Sequence, residues 1–295
     1  MNWQFFTEVL IGGLLAGIMY SLVALGFVLI YKASGVLNFA QGAMVFFAAL
    51  VFAGLTEKGM NFWLAIAATL TVMVVLAFAI ERVVLRPLVN QPAITLFMAT
   101  IGLAFLVEGT AQGVLGAQVH SLDIGVPDIP FSVRGINISQ FDLFAAGTAA
   151  VLVTVLALFF KKTRVGRALR AVADDHQAAL SVGIPLRHIW VIVWSVAGFV
   201  ALVAGILWGC RIGVQFSLTL VTLKALPVLI LGGFTSIPGA IVGGLIVGAS
   251  EKLAEVYLGP HIGSGIENWF PYVLSVFFLL VRPEGLFGER RIERV

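Results

Sequence analysis

Long, nearly uninterrupted apolar runs recur along the whole chain, and "HIWVIVWSVAGFVALVAGILWGC", residues 188–210, is typical. About 20 such residues suffice to cross the hydrocarbon core of a bilayer as a helix. The chain is 60% hydrophobic and only 11% charged, whereas an ordinary soluble domain is roughly a quarter charged. Its 32 glycines and 10 prolines sit inside the apolar runs, so they do not signal disorder. The expected fold is all-α: a polytopic integral membrane protein with eight or nine transmembrane helices, one of them broken or re-entrant.

Nine apolar segments stand out, at about 6–31, 38–55, 62–84, 94–115, 141–160, 189–210, 217–234, 237–257 and 268–282. No polar linker divides them, so residues 1–295 read as a single membrane domain. The interruption is expected in the second segment, which follows "YKASGVLNFAQG", where glycines and the polar Asn38 and Gln41 intrude. Irregular backbone at membrane depth survives only where protein or water covers it. "GGFTSIPGAIVGG", at the start of the eighth, reads as a tight glycine-rich turn. The first segment follows no basic leader and carries Glu8. Its apolar stretch is too long for a signal peptide, so it is expected to be a retained span. The single cysteine, Cys210, leaves no internal disulfide or cysteine-based zinc cluster.

Lysine and arginine set the orientation. With residues 161–188 placed in the cytoplasm, thirteen of the 18 basic residues fall on that side, and Lys58, Arg134, Arg211, Lys224 and Lys252 fall outside. Basic residues mark the cytoplasmic side, so the C-terminus is expected on that side. The net charge of +3 has the same origin, and no nucleic-acid partner is expected. The external side keeps one sizeable loop, 116–140, whose prolines and alternating apolar residues suggest an ordered cap or hairpin. Glycines at helical spacing recur at Gly13 and Gly17, Gly109 and Gly113, Gly205 and Gly209, Gly239 and Gly243, and Gly244 and Gly248. Such pairs let helix backbones approach closely in lipid.

The polar exception is "GRALRAVADDHQAALSVGIPLRH", residues 166–188. Val165, Leu169 and Val172 fall on one helical face, with Arg164, Arg167 and Arg170 away from it. This piece is expected to run on from the preceding span. Asp174 or Asp175 is placed to cap a second short helix beginning at His176 and Gln177. Gly183 then suits the C′ position, with Pro185 just beyond. The segment reads as a capped surface element and a candidate docking handle.

At this point the residues resemble a family. "GRALRAVADDHQAALSVGIPL" resembles the cytoplasmic coupling segment of the permease subunits of branched-chain (hydrophobic) amino acid ABC importers. "GVLNFAQGAM" is similar to that family's Asn-Phe-Ala-His/Gln-Gly element. "LGGFTSIPGAIVGGLIVGA" resembles its Gly-Gly-x-Gly-Ser-Ile-Pro-Gly-Ala signature, with Phe234 and Thr235 departing from the usual pair, and "VRPEGLFG" resembles its closing Arg-Pro-x-Gly-Leu-Phe-Gly. The four occur in order across the chain, whose length looks more like the shorter of the two paralogous permeases. The resemblance implies an importer in which a periplasmic solute-binding protein delivers the solute. Two permeases, paralogous or identical, form the path, and two ABC ATPase subunits bind the ATP. It implies that Arg167, Arg170, Asp174, Asp175, His176, Gln177 and Gly183 couple to an ATPase.

The residues add what they can beside this. There is no phosphate-binding Gly-x-x-x-x-Gly-Lys-Ser/Thr loop, so no ATPase activity and no resident cofactor or metal is expected. His261 near Ser264 does not make a hydrolase dyad by spacing alone. Intramembrane ionisable groups often mark function. Glu108 is divided between helix packing and the pathway, Glu81 is expected to pair with Arg82 or Arg86, and Lys224 to reach the surface. Asn38, Gln41 and Glu108 are the candidates for the translocation path. The leading reading is a permease moving branched-chain or other hydrophobic amino acids by alternating access. The alternatives are urea, short amides or small carboxylates as cargo, or an ion-coupled secondary transporter.

Overall fold

The computed structural model describes residues 3–88, 91–174 and 176–288. In chain order its elements are α1 (Trp3–Ser34), α2 (Gln41–Glu57), α3 (Phe62–Ile80) continued by a π-helical turn Glu81–Leu85, and α4 (Ala93–Leu115). A hairpin, β1 (Pro130–Val133) and β2 (Ile136–Ser139), leads into α5 (Gln140–Lys162), α6 (Arg164–Asp174) and α7 (His176–Ser181). The chain closes with α8 (Leu186–Ile212), α9 (Ser217–Leu223), α10 (Ala225–Gly232), α11 (Ile237–Ile262) and α12 (Ile266–Val281). Among the described residues, six helices are long and apolar enough to cross a membrane: α1, α3 with its π turn, α4, α5, α8 and α11. Gln41–Glu57, Ser217–Gly232 and Ile266–Val281 are shorter apolar helices beside them. The all-α polytopic expectation holds, and the loop after α4 carries the expected hairpin, with Pro130 paired to Ser139.

The irregular entry expected ahead of the second segment is present at residues 35–40, and a further interruption lies elsewhere. α2 is continuous from Gln41, and the irregular backbone before it ends outside the helix. The seventh segment is the broken one, divided at Lys224 into α9 and α10. Pro227 supplies the reason. It has no N–H for the carbonyl of Leu223, four residues back, and its ring clashes there.

The described residues gather into two compact units. One comprises residues up to Val28, 125–154 and from Leu223 onward; the other comprises Leu29–Ile124 and Val155–Thr222. α1 and α5 each contribute to both.

In the second unit α8 packs on α2 and α3, and α2 also packs on α3 and α4. A Cβ on Gly205 of α8 would lie 2.6 Å from the Val45 carbonyl of α2, and one on Gly198 would lie 3.2 Å from the Met73 Cβ of α3. Small residues therefore set these two close approaches, and Trp194, Met44, Leu50 and Phe52 fill the space between. The outward faces of α3 and α4 remain apolar, with Val75, Phe78, Phe105 and Leu106 exposed, as suits contact with lipid.

In the first unit α10 packs on α11 and α12, and α11 on α12. α11 carries glycines on two faces. A Cβ on Gly13 of α1 would come within 2.7 Å of the Gly248 carbonyl, while one on Gly243 would come within 2.5 Å of the Val228 carbonyl of α10. Ser236 caps α11, accepting from the Gly239 N–H at 3.0 Å, so the glycine-rich turn is as expected. Gly109 and Gly113 are different: nothing lies within 4 Å of a Cβ on either. Spacing alone does not say which face of a helix meets protein.

Candidate functional site

Three polar groupings stand apart from the apolar bulk. The first is the α6–α7 element. It does not run on from α5 as expected. Thr163 interrupts the helix and caps α6, its Oγ1 accepting from the Gly166 N–H at 3.2 Å, an ordinary N-cap arrangement. Gly166 makes the turn passable, because a Cβ there would strike the Phe160 carbonyl. Arg170 Nη1 donates to that same carbonyl at 2.9 Å. Leu169 and Val172 are buried while Arg167, Arg170 and Asp174 lie on the exposed side, so the amphipathic reading holds for α6. Val165 is half-buried.

Asp174 ends α6, Asp175 lies outside the described residues, and His176 and Gln177 open α7. α7 ends as the sequence anticipates. The N–H of Gly183 bonds to the Leu180 carbonyl and that of Ile184 to the Ala179 carbonyl, both at 3.0 Å. Gly183 has φ 80°. These are the two nested bonds of a Schellman end. Ala179 is buried, whereas Leu180 and Val182 are 53% and 74% exposed, an apolar tip beside a charged helix. α6 packs on both α7 and α8, so the tip is fixed rather than slack.

The second grouping is the turn into α2. Asn38 is fully buried. Its Oδ1 accepts from the Ala40 N–H at 3.1 Å and its Nδ2 points to the Met44 sulfur at 3.8 Å. Thr100 of α4 secures the same turn, accepting from the Phe39 N–H at 3.3 Å. Gln41, the first residue of α2, is also fully buried, yet its amide oxygen and nitrogen both lack a partner among the described residues. Next to it, Gly42 lets α9 approach; a Cβ there would sit 3.1 Å from the Thr219 carbonyl and 3.4 Å from the Thr222 Cβ. Asn38 and Gln41 are thus brought together, while Glu108 is held on its own helix, accepting from Gln112 Nε2 at 3.4 Å. Glu81 is buried against Arg187 of α8, 4.0 Å away, and not against Arg82 or Arg86 as expected. A partner a hundred residues downstream leaves no local signature.

The third grouping was not visible in the sequence reading. Lys224, at the break between α9 and α10, does not reach the surface. Its Nζ lies 3.0 Å from Glu251 Oε1 in α11, and the two side chains are 14% and 2% exposed. Tyr20 of α1 donates to the same oxygen at 3.1 Å. The next residue, Lys252, pairs with Glu267 at 3.0 Å, and one turn on Glu255 accepts from the backbone N–H groups of Gly265 and Glu267, capping α12 from a neighbouring helix. The available clue was "SEKLAE" inside an apolar segment, three charges where lipid tolerates few.

Residues 9–282 match the family described as "Branched-chain amino acid transport system / permease component", and the chain belongs to it. It is 29% identical to the high-affinity branched-chain amino acid transport system permease protein LivH of Escherichia coli K12, over 100% of this chain and 99% of that protein. Identity to the corresponding permease protein BraD of Pseudomonas aeruginosa is 28%, over 98% of each. The fructose import permease protein FruF of Bifidobacterium longum is 24% identical over 96% of this chain and 81% of its own. Among solved structures, PsaBC from Streptococcus pneumoniae in complex with Fab shares the fold at a TM-score of 0.50 and 14% identity, covering 94% of this chain and 92% of that one. The protein is therefore a multi-pass membrane permease of the ABC transporter class.

Proposed function

We propose that this chain forms one half of the translocation path of a binding-protein-dependent importer for branched-chain or other hydrophobic amino acids. In this reading the second half is a paralogous permease or a second copy. Two ATPase subunits on the cytoplasmic side bind the ATP, and a periplasmic protein delivers the solute. The chain sits in the bacterial inner membrane with its C-terminus on the cytoplasmic side. The full-length likeness to LivH and BraD supports the cargo. The observation that carries the mechanism is the α6–α7 element. It is capped at both ends and presents Arg167, Asp174, Leu180 and Val182 outward.

Closure of the ATPases on ATP pushes this element, and its seating against α8 passes the movement to the bundle. Gln41 and Asn38 line the path, with Glu108 further along α4. The unmet amide of Gln41 offers a donor and an acceptor to a passing solute.

Single cysteines at Leu180 and Val182, in a chain with Cys210 replaced by serine, test the docking. Crosslinking to the co-expressed ATPase, together with leucine uptake that Gly183→Pro abolishes, is expected. Labelling of both cysteines from the periplasmic side, with no ATPase adduct, refutes the assignment.

A further inference from the structure

The geometry points to a subsite for a zwitterionic α-amino acid at Lys224 and Glu251, with the substrate ammonium on Glu251 Oε2 and its carboxylate on Lys224 Nζ. This rests on the amino acid permease reading above. Glu251 sits in the middle of α11, so its carboxylate lies at membrane depth, where an ionisable group is costly. Its two oxygens are served unequally. Oε1 takes both Lys224 Nζ at 3.0 Å and the Tyr20 hydroxyl at 3.1 Å. Oε2 is sealed from solvent and has no partner among the described residues. A pair kept only for packing gains by sharing both oxygens, because an unmet buried acceptor carries a desolvation cost.

An ammonium brings three N–H donors and matches the vacant oxygen. Lys224 likewise has three donors, and one of them is engaged on Glu251. The pair therefore offers an unused acceptor and unused donors of opposite sign side by side. That is the complement of an amino acid's charged end. Because the site is neutral overall, a zwitterion enters it without burying net charge, whereas an amine or a carboxylate alone leaves one charge uncompensated. The location fits as well. Lys224 marks the proline-caused interruption between α9 and α10, its own backbone staying helical at φ -63° and ψ -18°, and interrupted spans are where transporters expose polar groups to solute. The pair addresses only the charged end of the substrate, so the site selects the class and not the particular aliphatic chain.

The test uses the complete importer in proteoliposomes with radiolabelled leucine, scored as uptake per assembled complex. The wild-type complex examines the cargo reading separately: if it takes up no branched-chain amino acid, that reading fails, whatever the subsite does. Given wild-type uptake, K224M/E251M removes both charges and keeps unbranched side chains of similar length, so a pair that is merely structural predicts unchanged uptake. A subsite predicts a fall on the order of 10- to 100-fold, the worth of one or two charged hydrogen bonds. If the double variant fails to co-purify with its partners, Glu251→Asp decides, because it keeps both charges and draws the carboxylate back by one methylene. A rise in the KM for leucine of about fivefold or more upholds the subsite, and an unchanged KM overturns it.

Discussion

Gly233 and Gly285 are in backbone contact: a Cβ on Gly285 would lie 2.7 Å from the Gly233 nitrogen. The segment after α12 is thereby laid against the end of α10, where the Leu286 N–H bonds to the Leu231 carbonyl at 2.8 Å and that of Phe287 to the Gly232 carbonyl at 3.2 Å. The two glycine motifs that begin at Leu231 and end at Gly288 are thus one structural unit, although some fifty residues separate them.

Gly285→Ala is expected to destabilise the protein by about 3 kcal/mol, summing the strain of a non-glycine residue in the left-handed region and the overlap with Gly233. Gly35 also has positive φ, at 71°, but nothing lies within 4 Å of a Cβ there. Gly35→Ala should cost only the strain, about 1 kcal/mol. Thermal unfolding in detergent separates the two.

Gly248→Leu is expected to part α1 from α11, since a side chain there meets the Gly17 backbone at 2.5 Å, and to lower the yield of folded protein severely. Gly109→Leu and Gly113→Leu should be tolerated, because those glycines face open space. Size-exclusion profiles of the three variants give the comparison, and a folding defect in Gly113→Leu would assign its open face to a partner subunit.

Gln41→Leu is expected to raise stability by about 1–3 kcal/mol, because it removes two buried polar atoms that lack partners. Leucine uptake should fall at the same time if the amide serves the path. A higher Tm with undiminished uptake would remove Gln41 from the proposed route.

Thr163→Ala should cost about 1 kcal/mol through loss of the α6 cap, and Gly166→Ala considerably more by displacing the helix from Phe160. Uptake should decline in that order while ATP hydrolysis persists, measured side by side in one preparation. A parallel decline in both activities would indicate failed assembly rather than lost coupling.

The spans were legible because bilayer thickness sets their length: 62–84 and 94–115 were read where the helices run Phe62–Leu85 and Ala93–Leu115. The end of α7 was legible too, because Gly183 and Pro185 act locally. The break at Lys224 was not. A proline inside an apolar run, here three residues after Lys224, is common in membrane helices, and the glycines around 35–42 gave a louder signal. Glu251 escaped notice because its partners, Tyr20 and Lys224, come from two other helices. Periodicity reports which side of a helix is apolar, and in lipid both the protein side and the outer side are.

The junction at Thr163 has a mechanical corollary. Phe160 is gripped twice by α6, through the close approach of Gly166 and through the guanidinium of Arg170. A bend in the chain is ordinarily a hinge; this one is held from both of its flanks, and loss of either hold is expected to loosen the elbow.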